Sequence, residues 1–396
     1  MSALPIPSAE AQQYSQQLCD SVQQRIVQSN GWVSFSEFMH MALYAPALGY
    51  YSGGAQKFGN MQSGGGDFVT APEITPLFSQ ALARQVSQVL ALTQGDVLEL
   101  GAGTGKLAGD LILALAELNQ LPSQYFILEV SSHLRAVQHE ALQSKLPSAL
   151  FSKLVWLNEL PNNFDGLILG NEVLDAIPVY LIAKKEGALY ERGVAFEDGF
   201  IWQDQPLQDP SILKFVETEA WPNDYLTEVC PAAIGLISSL ANTLSHGAIV
   251  MLDYGFSAQA YYHPQRNQGT LMCHYQHYAH SDPLIHVGLQ DITAHVNFTA
   301  IAEAGLAQGL ELYGYSNQAQ FLMNCGLLDL LEKESPDDAL QYVPMAAAVQ
   351  KLLSPAEMGE LFKVIAFTKD LDAKGLGDDA ESALIGFTSG DKAHTL

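Results

Sequence analysis

The sequence predicts an α/β fold built on a mostly parallel sheet, and three observations carry that reading. Short apolar strands recur between amphipathic helical stretches, which is the alternation of a βαβ sheet. The first such strand, Val97–Leu100, runs through Gly101, Gly103 and Gly105 directly into a helical pattern at Leu107, Leu111, Ile112, Leu115 and Leu118. Polar residues then bunch just past the ends of later strands, where open α/β sheets bind their ligands.

In order, Ser8 is positioned to cap a Gln-rich helix whose Leu18, Val22 and Ile26 form one narrow apolar face. Ser34 or Ser36 opens a second helix that stops near Pro46. The stretch Gly49 to Glu73, with Phe58 and Gly64-Gly-Gly-Asp-Phe-Val-Thr-Ala-Pro-Glu73, reads as a loop that bends closely around something. Helix returns over Pro72–Leu92. Tyr125–Val130 is a second strand, Leu154–Leu157 a third and Phe164–Gly170 a fourth. Asn171, Glu172 and Asp175 fit a short helix start in which the two acids share a face. From Val179 to Gln205 alternating residues punctuated by Glu186-Gly and Asp198-Gly predict antiparallel hairpins. A helix over 231–245 and a fifth strand, Gly247–Gly255, follow. Asp291 or Thr293 is expected to cap a helix through Ala304, a strand covers Leu310–Tyr315, helices cover 317–332 and 338–353, and a last strand covers Phe362–Phe367.

These elements divide into an N-terminal helical and Gly-rich loop cap (1–92), a first part of the core (93–178), a hairpin insertion (179–228), the remainder of the core with helical insertions (229–370) and a tail (371–396). With 396 residues, 48% of them apolar, the chain can bury one large core or two smaller ones. A net charge of −25, from 43 acids against 18 bases, disfavours a nucleic-acid partner. Cys19, Cys230, Cys273 and Cys325 are scattered, as expected of reduced thiols in a cytoplasmic setting. No secretory signal or membrane span is read. His274, His277 and His280 recur at intervals of three, but no carboxylate or paired cysteine completes a metal set, so no metal is expected and the segment reads as a loop or short helix near the substrate.

The glycine turn narrows the ligand. A P-loop would need glycine at position 100 and a hydroxyl at 107, and both are leucine. A dinucleotide frame counted from Gly101 fails at Lys106; counted from Gly103 it fits at Ala108, though late for the tight turn, so a nicotinamide oxidoreductase stays open. Glu129 lies where a nucleoside-binding βαβ unit places a carboxylate for ribose hydroxyls. The string Glu99-Leu-Gly-Ala-Gly-Thr-Gly105 looks like the first motif of class I S-adenosylmethionine-dependent methyltransferases.

Gly66-Asp-Phe-Val-Thr-Ala-Pro-Glu-Ile74, Glu99–Gly105, Glu129-Val-Ser131, Asn171–Pro178, Asp253-Tyr-Gly255, Asp291–Phe298 and Met358–Val364 together resemble the MidA family, in order and over nearly the whole chain. That family includes a mitochondrial methyltransferase that assists respiratory complex I assembly. The resemblance implies a Rossmann-like class I methyltransferase sheet, mostly parallel with its last strand antiparallel, and S-adenosyl-L-methionine as methyl donor. It implies Gly101, Gly103 and Gly105 against the amino-acid moiety, Glu129 on the ribose, Glu99 in the same cofactor set, and Asp67 and Thr70 in the loop closing over the cofactor. It also implies a protein partner methylated on arginine, by analogy a respiratory-complex subunit. Asn171, Glu172 and Asp175 are the catalytic candidates, because carboxylates pair with a guanidinium fork and an amide oxygen orients it. Position 102 is alanine where the family often has proline, and 173–174 are Val-Leu where it carries a bulkier pair. A bacterial cytoplasmic enzyme is expected, with a homodimer compatible with its exposed stripes. The alternative is a non-catalytic assembly factor that retains the fold.

Overall fold

The computed structural model describes residues 4–53, 70–216, 221–371 and 384–396. The chain divides into two compact units: Met1–Phe68 with Asp175–Ile234 and Gln259–His295, and Val69–Leu174 with Gly235–Ala258 and Val296–Leu396. The boundaries expected from the sequence at 92 and 178 differ from this division, which first breaks after Phe68 and Leu174.

In the first unit, Ser8 caps the helix Ala9–Gln28 by accepting from the Ala11 N–H, and Leu18, Val22 and Ile26 are its buried face. Ser34 caps Phe35–Tyr44 through the Glu37 N–H. The expected hairpins form: Tyr180–Lys185 pairs antiparallel with Ala188–Phe196, which pairs with Phe200–Pro206. Glu186 and Gly187 both take positive φ, as the first two-residue turn demands. Phe35, Phe38, Leu181 and Val194 meet in this unit's core. The histidine segment is a correction: it forms a hairpin, Met272–Tyr275 against Tyr278–His280, rather than a loop or short helix. Among the described residues no group of three or more His, Cys, Asp and Glu is arranged to hold a metal ion. Asp291–Thr293 is a strand on that hairpin, not a helix cap.

The second unit carries the main sheet, whose principal strands are numbered here in chain order: β1 (Asp96–Leu100), β2 (Tyr125–Leu128), β3 (Leu154–Leu157), β4 (Phe164–Asn171), β5 (Leu244–Phe256), β6 (Glu311–Asn317) and β7 (Phe362–Lys369), with a two-residue strand, Val296–Asn297, added in parallel to the end of β5. Their spatial order is β3-β2-β1-β4-β5-β7-β6. The first five pair in parallel, while β7 runs antiparallel between β5 and β6. The expected mostly parallel sheet with an antiparallel last strand is therefore what the chain forms. Strand order reverses direction between β1 and β4, and a crevice opens outside the carboxyl ends of strands at such a switch point.

Three local expectations are corrected here. The helix over Pro72–Leu92 is two helices, Ala71–Ile74 and Pro76–Thr93, because Thr75 precedes a proline and is driven into extended backbone at φ −159°. The helix after Ile292 begins only at Phe298, capped by Asn297 through the Ala300 N–H. Helix 317–332 is broken into Gln318–Asn324 and Leu327–Glu332 by Gly326 in left-handed backbone. The C-terminal stretch read as a tail is docked: the N–H groups of Ile385 and Gly386 donate to the side-chain oxygens of Gln88 and Gln85, and Leu384 and Phe387 are buried. No helix among the described residues is long and apolar enough to cross a membrane.

Candidate active site

The turn after β1 is shaped by three glycines. Gly101, Gly103 and Gly105 have φ of +58°, +53° and +83°, so side-chain-bearing residues are strained at each of them. Gly105 then caps the helix Lys106–Glu117, aiming that helix's first N–H groups at the turn. A Cβ at Gly103 would meet nothing within 4 Å, whereas one at Gly105 would press on Leu142 at 3.2 Å. Gly103 thus presents open backbone surface, and Gly105 is needed for packing as well as for its dihedral.

Two buried acids lie on the strands that flank this turn, Glu99 on β1 and Glu129 just past β2. Glu99 is buried on β1 and accepts a 2.6 Å hydrogen bond from the Tyr125 hydroxyl. Burial pushes its carboxyl up to about 7; the Tyr125 bond pulls it down and the nearby Glu129 charge adds to the rise. Glu129 is also buried. Its Oε1 accepts from the Ser131 N–H at 2.9 Å and its Oε2 from the Gln138 side-chain amide at 3.0 Å. Burial raises its pKa, opposed by those two hydrogen bonds.

Gln138 was not singled out by the sequence reading. It lies on the helix Ser132–Lys145, fully buried between Leu134 and Leu142 at i−4 and i+4. The same amide nitrogen that reaches Glu129 also donates to the Gly103 carbonyl at 3.0 Å, and its oxygen accepts from the Trp156 indole N–H at 3.0 Å. A polar residue interrupting an apolar i, i+4 stripe was the available signal.

At the end of β4, Asn171 and Glu172 lie on the other side of the switch point. Glu172 has left-handed backbone at φ +54°, and its N–H donates to the Leu252 carbonyl. The Val173 and Leu174 N–H groups both donate to Asp253 Oδ2, at 3.1 and 2.8 Å, and Asp253 is fully buried at the β5 end. The expected short helix is consequently absent, and Glu172 and Asp175 do not share a helical face. The turn at Glu172 and the Asp253 carboxylate take up the amides a helix start would leave open. The Glu172 Oε1 accepts from the Asn171 side-chain amide at 3.1 Å and from the Ala71 N–H at 3.3 Å. Thr70, which precedes that helix, has an extended backbone and makes no side-chain cap. Glu73, in the same short helix, accepts from the Thr104 hydroxyl of the glycine turn. The segment Ala71–Ile74 therefore links the glycine turn to Glu172. Asp175 belongs to the first unit, buried, with its carbonyl accepting the Ala294 N–H and its charge felt by Tyr51. Asp67 lies outside the described residues.

A family model for S-adenosyl-L-methionine-dependent methyltransferases matches residues 81–316, more than half of the chain. The chain belongs to that family. This methyltransferase is 47% identical to a Burkholderia thailandensis protein whose crystal structure holds S-adenosyl-homocysteine, with 100% of both chains covered and a TM-score of 0.92. The native crystal structure of a Burkholderia thailandensis protein gives 45% identity and a TM-score of 0.90, again over both whole chains. The mitochondrial protein arginine methyltransferase NDUFAF7 of Mus musculus is 29% identical over 86% of this chain and 82% of its own; that of Homo sapiens is 28% identical over 86% and 81%.

The cofactor is therefore S-adenosyl-L-methionine, and the nicotinamide alternative is set aside. The residues fit it: open backbone at Gly103 admits close approach without a phosphate partner, and Glu129 keeps acceptor capacity beyond its two protein hydrogen bonds for a ribose diol.

Proposed function

We propose that this methyltransferase transfers methyl groups to an arginine side chain of a partner protein, with Glu172 and Asn171 handling the guanidinium. The observation that carries the proposal is the fixed carboxylate of Glu172, held at the β4 end by Asn171 and the Ala71 N–H while Glu73 in the same short helix grips Thr104 of the glycine turn. A carboxylate so placed can pair with the guanidinium fork, spread its charge and turn one nitrogen toward the donor. When bound, the cofactor supplies a methyl carbon on a sulfonium. A guanidinium nitrogen forms the new C–N bond as the C–S bond breaks, the sulfur leaving as a neutral thioether. Glu172 accepts the proton that the alkylated nitrogen must lose, and the Asn171 amide oxygen orients the nitrogen. On the donor side, Glu129 takes the ribose hydroxyls, Glu99 and the three glycines take the amino-acid portion, and Thr70 stands at the start of the short helix that meets the glycine turn.

The named activity of the NDUFAF7 relatives supports the choice of arginine, and the MidA resemblance extends it to a respiratory-complex subunit as acceptor. The Burkholderia relatives and four free thiols support a bacterial cytoplasmic setting. Asp175, in the first unit, is tested separately as Asp175→Asn. The decisive variant is Glu172→Gln. It should lower radiolabelled methyl transfer into a lysate by about 100-fold or more, with S-adenosylmethionine affinity in calorimetry nearly unchanged. Equal loss of cofactor binding would remove Glu172 from the chemistry. Mass spectrometry of a deletion strain should show lost arginine methylation; loss on another residue type would replace arginine as the acceptor.

A further inference from the structure

We propose that Gln138 is the positioning residue of the cofactor site, locking the Glu129 carboxylate and the Gly103 carbonyl into one arrangement, with Trp156 setting the direction of its amide. The inference rests on the reading of Glu129 as the ribose acid.

The chemistry of the four groups leaves one solution. An indole N–H can only donate, so the Gln138 oxygen must face Trp156. The Glu129 carboxylate and the Gly103 carbonyl can only accept, so the Gln138 NH2 must face both. Its two hydrogens match those two acceptors at 3.0 Å each. Every polar group of the buried amide is thereby used, and no other rotamer of the amide avoids setting like against like.

The consequence for binding follows from where the two acceptors lie. Gly103 is the open point of the turn after β1, and Glu129 follows β2. One side chain thus ties the part that approaches the amino-acid portion to the part that takes the ribose. Gln138 also protects the orientation of Glu129. With one oxygen held by the Ser131 N–H and the other by Gln138, the carboxylate plane cannot rotate, and its remaining lone pairs stay directed. A ligand then meets a preorganised acceptor instead of ordering it on arrival.

Calorimetric titration with S-adenosylmethionine tests this on the full chain, with melting temperature recorded for every variant. Gln138→Leu should weaken binding about 10- to 100-fold, the span for losing a hydrogen bond to a charged group. In a Glu129→Gln background the same change should cost much less, since the two residues act as one unit. Gln138→Glu keeps the shape and the Trp156 partnership but sets a second carboxylate against Glu129. The pair binds one shared proton as pH falls, restoring a donor between the acceptors. The ratio of Gln138→Glu affinity to wild-type affinity should therefore rise from about pH 8 to about pH 5.5. Taking the ratio cancels the titration of Glu99 and the field of Arg135, the other charged groups near Glu129. Trp156→Phe, which releases the amide to flip, should show a smaller loss of affinity than Gln138→Leu. A general packing defect would lower melting temperature without non-additivity and without the pH-dependent ratio. If the Gln138 variants bind like wild type while Glu129→Gln is weakened, the proposal fails and the ribose reading stands. If Glu129→Gln binds like wild type, both fail.

Discussion

Two glycines in the second unit separate folding from ligand binding, and replacing each with alanine gives a sharp comparison. Gly103 sits in left-handed backbone at φ +53°, and an added Cβ would find no atom within 4 Å. Its folding cost is then only the dihedral penalty, about 1–2 kcal/mol, or a fall in melting temperature of about 2–8 °C for a unit of this size. The methyl group would nevertheless stand on the surface that a backbone-hugging ligand must approach. A displacement of about 1 Å at such a contact can cost on the order of 100-fold, so S-adenosylmethionine affinity should drop by that factor. Gly166, at the other end of the same strand pair, has φ +130°, and its added Cβ would collide with the Asp96 carbonyl oxygen on β1. Backbone cannot yield there without parting β1 from β4, so Gly166→Ala should cost more than about 4 kcal/mol. Differential scanning fluorimetry and calorimetric titration of both variants make the test. Gly103→Ala that binds the cofactor like wild type, or that melts as early as Gly166→Ala, would refute the assignment of the turn to the ligand.

Three further outcomes follow from the same geometry. Asp253→Asn should lower stability by about 2–3 kcal/mol and reduce methyl transfer more than cofactor affinity. An amide there must set a donor against one of the Val173, Leu174 and Tyr254 N–H groups. Glu99 titrates at about 7 in the folded chain, against 4.5 for an ordinary glutamate, so the fold binds more protons in that window and loses stability as pH rises through it. The melting temperature of the ligand-free chain should fall between about pH 5 and pH 7.5, and Glu99→Gln should flatten that decline. Phe387→Ala should cost about 3–5 kcal/mol, seen in chemical denaturation, because this residue packs on Phe321 and Tyr313 inside the second unit.

Much of this fold was legible because its elements are locally self-consistent. The central strands β4 and β5 carry apolar runs, Leu167–Leu169 and Ala248–Leu252, as strands buried on both faces do, and Ser8 and Ser34 mark helix starts by ordinary capping chemistry. The glycine turn was legible for the same reason, since positive φ at three nearby positions admits few residues. What was missed depends on contacts distant in sequence. Helical spacing at Glu172 and Asp175 was a fair inference from the chain alone. It failed because Asp253, some eighty positions away, captures the two amides that would have opened the helix. Gln138 was passed over because a glutamine on a helix is ordinarily solvated, and only the placement of Trp156 and Glu129 makes this one a hub. The docked C-terminal segment was read as a tail since its partners, Gln85 and Gln88, sit on a helix some three hundred residues earlier.

The left-handed backbone at Glu172 has a consequence for how such a protein could age over evolutionary time. Glycine would occupy φ +54° with less strain than glutamate, by about 1 kcal/mol. A lineage kept only as a scaffold would be under steady pressure to exchange this carboxylate for a residue that relaxes the turn, gaining stability as it lost chemistry. At Glu172 the proposed work of the carboxylate on the guanidinium is what would offset that strain, whereas Glu186 takes the same backbone region in a plain hairpin turn. Within a set of relatives, the residue at this single place should therefore sort working enzymes from those that have become passengers of their own fold.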